Sequence, residues 1–356
     1  MKLLLVVAGL SLSASAQAQP AGPPEIGYHS VPNPLTLPDG MNFGEATGVA
    51  VNSHGHVFVF SRGGNAGGPA FAAAEAQLLE FDADGRFVKE IGRGLYAWSF
   101  AHAVRVDHED NIWATDKGSD TIVKFTPDGR VAMVFGRKQE AADPSGPDKK
   151  GEPYKPAVDG RFRQPTNVAW DAKGDAYFSD GYVNARIGKV DREGNWLTSW
   201  GEHGTGPGQF SNPHDIAVDA KGEVYVADRG NRRIQVFDSN GRFLRQFTID
   251  VPVPAGAKPA IGPADTDDST AKTFQPGAPW AICITPSQTL YVADAFPGRI
   301  YRLKLDGQVT GVMGGAGKTI GRFGWIHEMA CPSDNTLWVA EVLNWRVQKL
   351  VLEPTK

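Results

Sequence analysis

Hydrophobic and polar positions alternate along this chain in short runs that return in pairs. "TGVAVNSHGHVFVFSR", "HAVRVDHEDNIWATDK", "TNVAWDAKGDAYFSDG", "HDIAVDAKGEVYVADR", "WAICITPSQTLYVADA" and "HEMACPSDNTLWVAEV" each read as an apolar strand, a polar turn and a second alternating strand. Five are followed by a further hairpin, centred on Asp84 and Gly85, Asp128 and Gly129, Glu193 and Gly194, Asn240 and Gly241, or Asp306 and Gly307, where the turn residues tolerate positive φ. Four strands per unit, with second strands ending near Ser61, Asp116, Asp180, Asp228, Asp294 and Glu341, predict an all-β fold. It is a six-bladed β-propeller of four-stranded antiparallel blades. The sixth unit has a third strand in "RVQKLVLE" and then runs out of chain, so its fourth strand is expected from residues 26–31, which removes the open edge of the ring. The Trp, Phe, Val and Ile at alternating positions read as packing between blades.

The start of the chain breaks this pattern. Lys2, an apolar run over residues 3–12, and "ASAQAQ" with small residues at Ala16 and Ala18 read as a secretory signal over residues 1–18. A linker over 19–25 and the propeller over 26–353 follow. The run is too short to span a membrane, and no later stretch reaches the ~20 apolar residues a span needs. The expectation is an exported protein, periplasmic or secreted, with no membrane span. A net charge of -4 with both signs interspersed leaves no broad basic surface for nucleic acid. The 42 Gly and 25 Pro fit many short strands joined by tight turns, and no composition break divides the chain, which favours a repeat architecture; a monomer is expected.

Counting back fourteen positions from the end of each second strand gives Thr47, His102, Thr166, His214, Trp280 and His327. Three of the eight histidines thus share one repeat position, in blades two, four and six. The first strand of a blade lines the central channel, so these imidazoles converge on the axis about 120 degrees apart. One such histidine alone would be a hydrogen-bonded rim residue. Three in symmetric register point to a metal with an exchangeable fourth position; zinc is the commonest user of three histidines, and nickel, cobalt or iron fit the same ligands.

A second set falls on the same rim, just after each second strand: Arg62, Lys117, Gly181 with Tyr182, Arg229, Ala295 and Val342. Tyr182 occupies an inserted position. "TDKGSDTI", "ADRGNRRI", "ADAFPGRI" and "AEVLNWRV" take six steps from the acidic residue to the closing Ile or Val, whereas "SDGYVNARI" takes seven. Arginine offers a fixed fork of donors for a carboxylate, and a cation beside a phenol lowers its pKa towards a usable base. Arg229, within "DRGNRRI", also reads as an ordinary ion pair at the blade edge, and Tyr182 as an aromatic closing the channel. The loop "GGNAGGPAF" after Arg62 can move over a ligand, and insertions at 136–165 and 250–279 emerge on this face to wall the site.

With these residues in place the chain resembles the peptidyl-α-hydroxyglycine α-amidating lyase family, within the NHL-repeat propellers, across essentially all of its mature length. "GTGPGQFSNPHDIAVDAKGEVYVADRGNRRIQVFD" carries the NHL part of the likeness, which speaks for fold; the histidine column, "SDGY", Arg62 after "VFVFS" and Arg229 in "ADR" carry the lyase part. The resemblance implies a zinc held by His102, His214 and His327, Tyr182 as catalytic base, and Arg62 and Arg229 as the active-site arginines. It also implies a structural calcium on two backbone carbonyls and a carboxylate, here Val49, Val104 and Glu328. The substrate would be a small molecule or peptide with a hydroxyglycine-like carboxylate end, cleaved to a primary amide and glyoxylate. Two positions depart from the family pattern: Glu328 stands where aspartate is usual, and Val183 where the animal enzymes have a disulfide cysteine. Cys283 and Cys331, the only cysteines, fall in the inner strands of neighbouring blades, as a disulfide or as two buried thiols. Two other readings suit the same rim: a metal-dependent lactone or ester hydrolase, and a metal-free NHL module that binds peptide or glycan.

Overall fold

The paired runs form adjacent antiparallel strands. Glu45–Val51 lies on Val57–Gly63, Ala101–Val106 on Ile112–Asp116, Asn167–Trp170 on Ala176–Asp180, Pro213–Val218 on Val224–Asp228, Ala281–Ile284 on Leu290–Ala293, and Ile326–Ser333 on Thr336–Glu341. Each pair continues into a four-stranded sheet, and the inner strands touch in cyclic order, Ile326–Ser333 returning to Glu45–Val51. The result is the six-bladed propeller. The structure is a computed structural model that describes residues 22–63, 75–138, 155–260 and 274–354. The expected signal peptide, most of the glycine-rich loop after Arg62, and the middle of both insertions lie outside the described residues. Among the described residues no helix is long and apolar enough to cross a membrane.

The ring closes as expected, with a shorter strand. Tyr28–Ser30 pairs with Arg346–Leu352 and supplies the outer strand of blade six. Ile26 does not join it, because its N–H donates to the Val312 carbonyl of blade five at 2.8 Å. The N-terminal segment therefore ties two blades together. A covalent link joins the same two blades: Cys283 and Cys331 form a disulfide with Cα atoms 5.9 Å apart, which settles their alternative.

Blade packing is apolar, as the alternation predicts. Between blades five and six Tyr291, Ile300, Met313, Phe323, Met329 and Leu337 are buried together; removing each such side chain from water contributes about 1.5–3 kcal/mol. The hairpin at Asp84 and Gly85 requires its glycine. Gly85 has φ 81, and a Cβ there would come within 2.1 Å of the Pro34 carbonyl oxygen.

A residue at or beside the end of each second strand holds the chain that enters the first strand. Asp116 accepts the N–H groups of Ser99 and Phe100, Asp180 that of Arg163, Asp228 that of Ser211, Asp294 that of Gly277 and Glu341 that of Gly324. In blade one the Ser61 hydroxyl takes the N–H of Gly44. Six equivalent clamps set the six entry points at one height, which is why a sequence count locates residues that meet on the axis.

Candidate metal centre

His102, His214 and His327 open the inner strands of alternate blades and face one another, with ring centroids 4.6, 4.9 and 5.0 Å apart. Their ligand atoms lie within 4.8 Å of one another. The intervening members of the column complete the arrangement. His102 Nδ1 lies 2.7 Å from the Thr166 carbonyl oxygen, His214 Nδ1 2.7 Å from that of Trp280, and His327 Nδ1 2.9 Å from that of Thr47. A carbonyl only accepts, so each Nδ1 carries the proton and each Nε2 keeps its lone pair. Burial holds all three rings well below the ordinary imidazole pKa. Charges add to this, from His327, Lys117 and Arg62 at His102, from Arg229 at His214 and from Arg62 at His327. Three neutral imidazoles with matched tautomers, each fixed by a carbonyl, fit a tetrahedral metal such as zinc with one position open.

Tyr182 enters this ring from the inserted turn. Gly181 packs so closely on the entry of blade four that a Cβ would lie 1.9 Å from the Pro213 carbonyl oxygen, and the Tyr182 N–H donates to Gln164 at 3.3 Å. The added residue thereby brings the phenol oxygen to 3.2 Å from His102 Nε2 and 3.3 Å from His214 Nε2. Burial pushes the phenol pKa up, but Lys117, Arg229 and Arg62 together outweigh burial and leave it below its ordinary value. Lys117 Nζ stands 3.6 Å from the centre of the Tyr182 ring.

Arg229 is 4% exposed, and its guanidinium lies 3.8 Å over the Trp280 ring and is hydrogen-bonded to Tyr182. The ion pair that the motif offers is taken by another residue: Arg233 Nε meets Asp228 at 2.8 Å. Arg229 is left with Nε and Nη1 buried and unpartnered among the described residues. A buried guanidinium in that state loses hydration without full compensation, so an incoming carboxylate is strongly favoured. Arg62 is more committed, with Nε on the Ala101 carbonyl at 3.0 Å, Nη1 on Glu45 at 2.6 Å, and its guanidinium 3.8 Å over Phe100. The sequence count places Lys117 on the rim without assigning it a role. The structure puts it against Tyr182, and Phe100 and Trp280 emerge as the flat supports of the two arginines.

One residue below the histidines, the same strands contribute Gly48, Ala103, Asn167, Asp215, Ala281 and Glu328. The calcium expected at Val49, Val104 and Glu328 does not fit this layer. Glu328 Oε2 instead accepts the amide N–H groups of Val49 and Val104, at 3.2 and 3.1 Å. Arg105 supplies the positive charge, 2.9 Å from Glu328 and 2.8 Å from Asp215, while Asn167 donates to both carboxylates at 3.0 and 2.7 Å. Burial still pushes the Glu328 carboxyl up to about 8, against the pull of Arg105.

A family model described as NHL repeat matches residues 210–237. The peptidyl-α-hydroxyglycine α-amidating lyase 1 of Drosophila melanogaster is 26% identical over 339 residues, 87% of this chain and 58% of that protein. The chain is thus similar to an amidating lyase over most of its length. Human NHL repeat-containing protein 3 is 33% identical over 206 residues, 54% of this chain and 51% of that protein. The chain thus spans 58% and 51% of the lengths of these two curated relatives. Among solved structures, virginiamycin B lyase from Staphylococcus aureus superposes with a TM-score of 0.56 at 14% identity, over 88% of this chain and 98% of that one, which shows the shared fold. All six zinc and catalytic positions implied by the resemblance converge at one channel mouth.

Proposed function

We propose that this chain is a metal-dependent carbon–nitrogen lyase that splits N-acyl or peptidyl α-hydroxyglycine into a primary amide and glyoxylate. The observation that carries the reading is the buried, half-partnered Arg229 guanidinium, joined to Tyr182 beside three converging imidazole lone pairs. His102, His214 and His327 would hold the metal, and zinc suits that donor set. Bound there, it would act as a Lewis acid that lowers the pKa of a substrate hydroxyl.

The chain's own residues account for the rest. Arg229, through its two free nitrogens, and Arg62 hold the glycine carboxylate, with Trp280 and Phe100 keeping the two guanidinium planes in place. Lys117 and the arginines favour the phenolate of Tyr182, which takes the hydroxyl proton. The electron pair left on that oxygen forms the aldehyde of glyoxylate as the carbon–nitrogen bond breaks. The amide nitrogen leaves with the bonding pair and takes the proton back from Tyr182. We extend the proposal to location: the apolar N-terminal run directs export, so the substrate is met outside the cytoplasm.

Metal-loaded protein incubated with α-hydroxyhippurate is expected to release benzamide and glyoxylate in equal amounts. Tyr182→Phe is expected to lower kcat about 10²–10⁴-fold while the metal content stays that of the wild type. Absence of glyoxylate from the wild type would overturn the lyase reading, and loss of metal in the variant would make Tyr182 a structural residue.

A further inference from the structure

The channel mouth has two unlike halves. Arg62, Lys117, Tyr182 and Arg229 lie on blades one to four. The side of blades five and six carries a cluster of aromatic rings, Trp280, Trp325 and Phe274. Trp280, 3% exposed, is the base, with Trp325 4.8 Å and Phe274 5.4 Å from it and 4.9 Å from each other. Trp280 also touches His214, ring centroids 4.9 Å apart, and carries Arg229 on its face. The aromatic wall therefore begins where the carboxylate-binding arginine ends.

Packing alone does not account for Trp325. Its φ of 63 lies in the left-handed region, where a bulky residue is strained. The corresponding residues of blades three and four, Gln164 and Asn212, both have φ 60, so three of the six blades share this conformation and asparagine meets it at less cost. Trp325 and Phe274 are also only half-buried, while the residues beneath them are fully covered. Phe274 is held in place from below: Arg232 donates to the Pro276 carbonyl at 3.1 and 2.6 Å, and the Gly277 N–H to Asp294 at 3.0 Å. The wall is therefore a packed cluster, part of it exposed, next to His214.

We propose that Trp325 and Phe274, seated on Trp280, determine substrate specificity by taking a flat aromatic or bulky apolar acyl group. This rests on the lyase reading: with the carboxylate on Arg229 and the hydroxyl at the metal centre, the acyl end of an N-acyl hydroxyglycine extends along the remaining, aromatic half. Small acyl groups such as acetyl leave the wall uncovered and gain nothing from it.

The test measures selectivity in two ways. One is kcat/KM for α-hydroxyhippurate relative to N-acetyl-α-hydroxyglycine. The other is the Kd of the unreactive analogues benzoylglycine and acetylglycine on metal-loaded protein. Wild type is expected to favour the benzoyl compound at least about tenfold in both. Trp325→Asn, which adopts the local backbone as Asn212 does, and Phe274→Ala are each expected to bring the ratio close to one. An unchanged ratio in both variants, or no benzoyl preference in the wild type, overturns the proposal. If benzoylglycine binds with a preference that Trp325→Asn removes, yet no glyoxylate is ever formed, the wall stands and the lyase reading falls.

Discussion

The histidine ring and the carboxylate ring beneath it are made of consecutive residues on the same six strands, yet they end in opposite states. In the upper ring every Nδ1 is satisfied by a carbonyl of the next blade, and every Nε2 lone pair is left facing the axis with one phenol between two of them. In the lower ring Arg105 and Asn167 bridge Asp215 and Glu328, and backbone amides take the remaining carboxylate oxygens. One layer is open to an outside cation; the other has an internal one. The backbone is the same, so the difference lies in which side chain can reach the axis: an imidazole stops short and leaves space, whereas Arg105 is long enough to rise from two positions further down the strand.

The comparison breaks most severely at the open ring. His214→Ala removes one of three ligands, and bound transition metal is expected to drop from about one equivalent to below about a tenth, with turnover lost and far-ultraviolet circular dichroism unchanged. Metal analysis after gel filtration reads this directly. Next comes the closed ring. Arg105→Met leaves two buried carboxylates without their cation, and denaturant unfolding is expected to show a loss of about 3–5 kcal/mol. The smallest effect sharpens the contrast between the layers. Millimolar calcium added to metal-free protein is expected to leave Tm unchanged, whereas one zinc equivalent raises it by several degrees through linkage. A calcium-dependent rise in Tm would show that Glu328 has acceptor partners after all.

Much of this was legible in the sequence, because a propeller converts spacing into geometry. One count along six repeats located the histidines, and the extra step in "SDGYVNARI" located the phenol. The same count moved by one residue lists Asn167, Asp215 and Glu328, so the lower ring was legible too. Its internal cation was not, since Arg105 belongs to a register that otherwise holds Ala50, Ala169, Ala217, Cys283 and Ala330 and joins the carboxylates only through side-chain reach. Arg229 was ambiguous for a similar reason. Three arginines lie within five residues of Asp228, and only the structure shows that Arg233 takes the ion pair. The aromatic wall depends on how an insertion docks: Phe274 is placed by the grip of Arg232 on Pro276, a contact between residues 44 apart that no period encodes.

The hydrogen bond from His327 to Thr47 joins residues 280 apart and crosses the seam where the last blade meets the first. The other two histidines are steadied by blades that follow them in the chain, but this one waits for the ring to close. A nascent chain that has made five blades can present two aligned imidazoles, and the third belongs to the blade still to come. The third aligned imidazole arrives only with closure, so a complete three-histidine site exists only once the circle is closed.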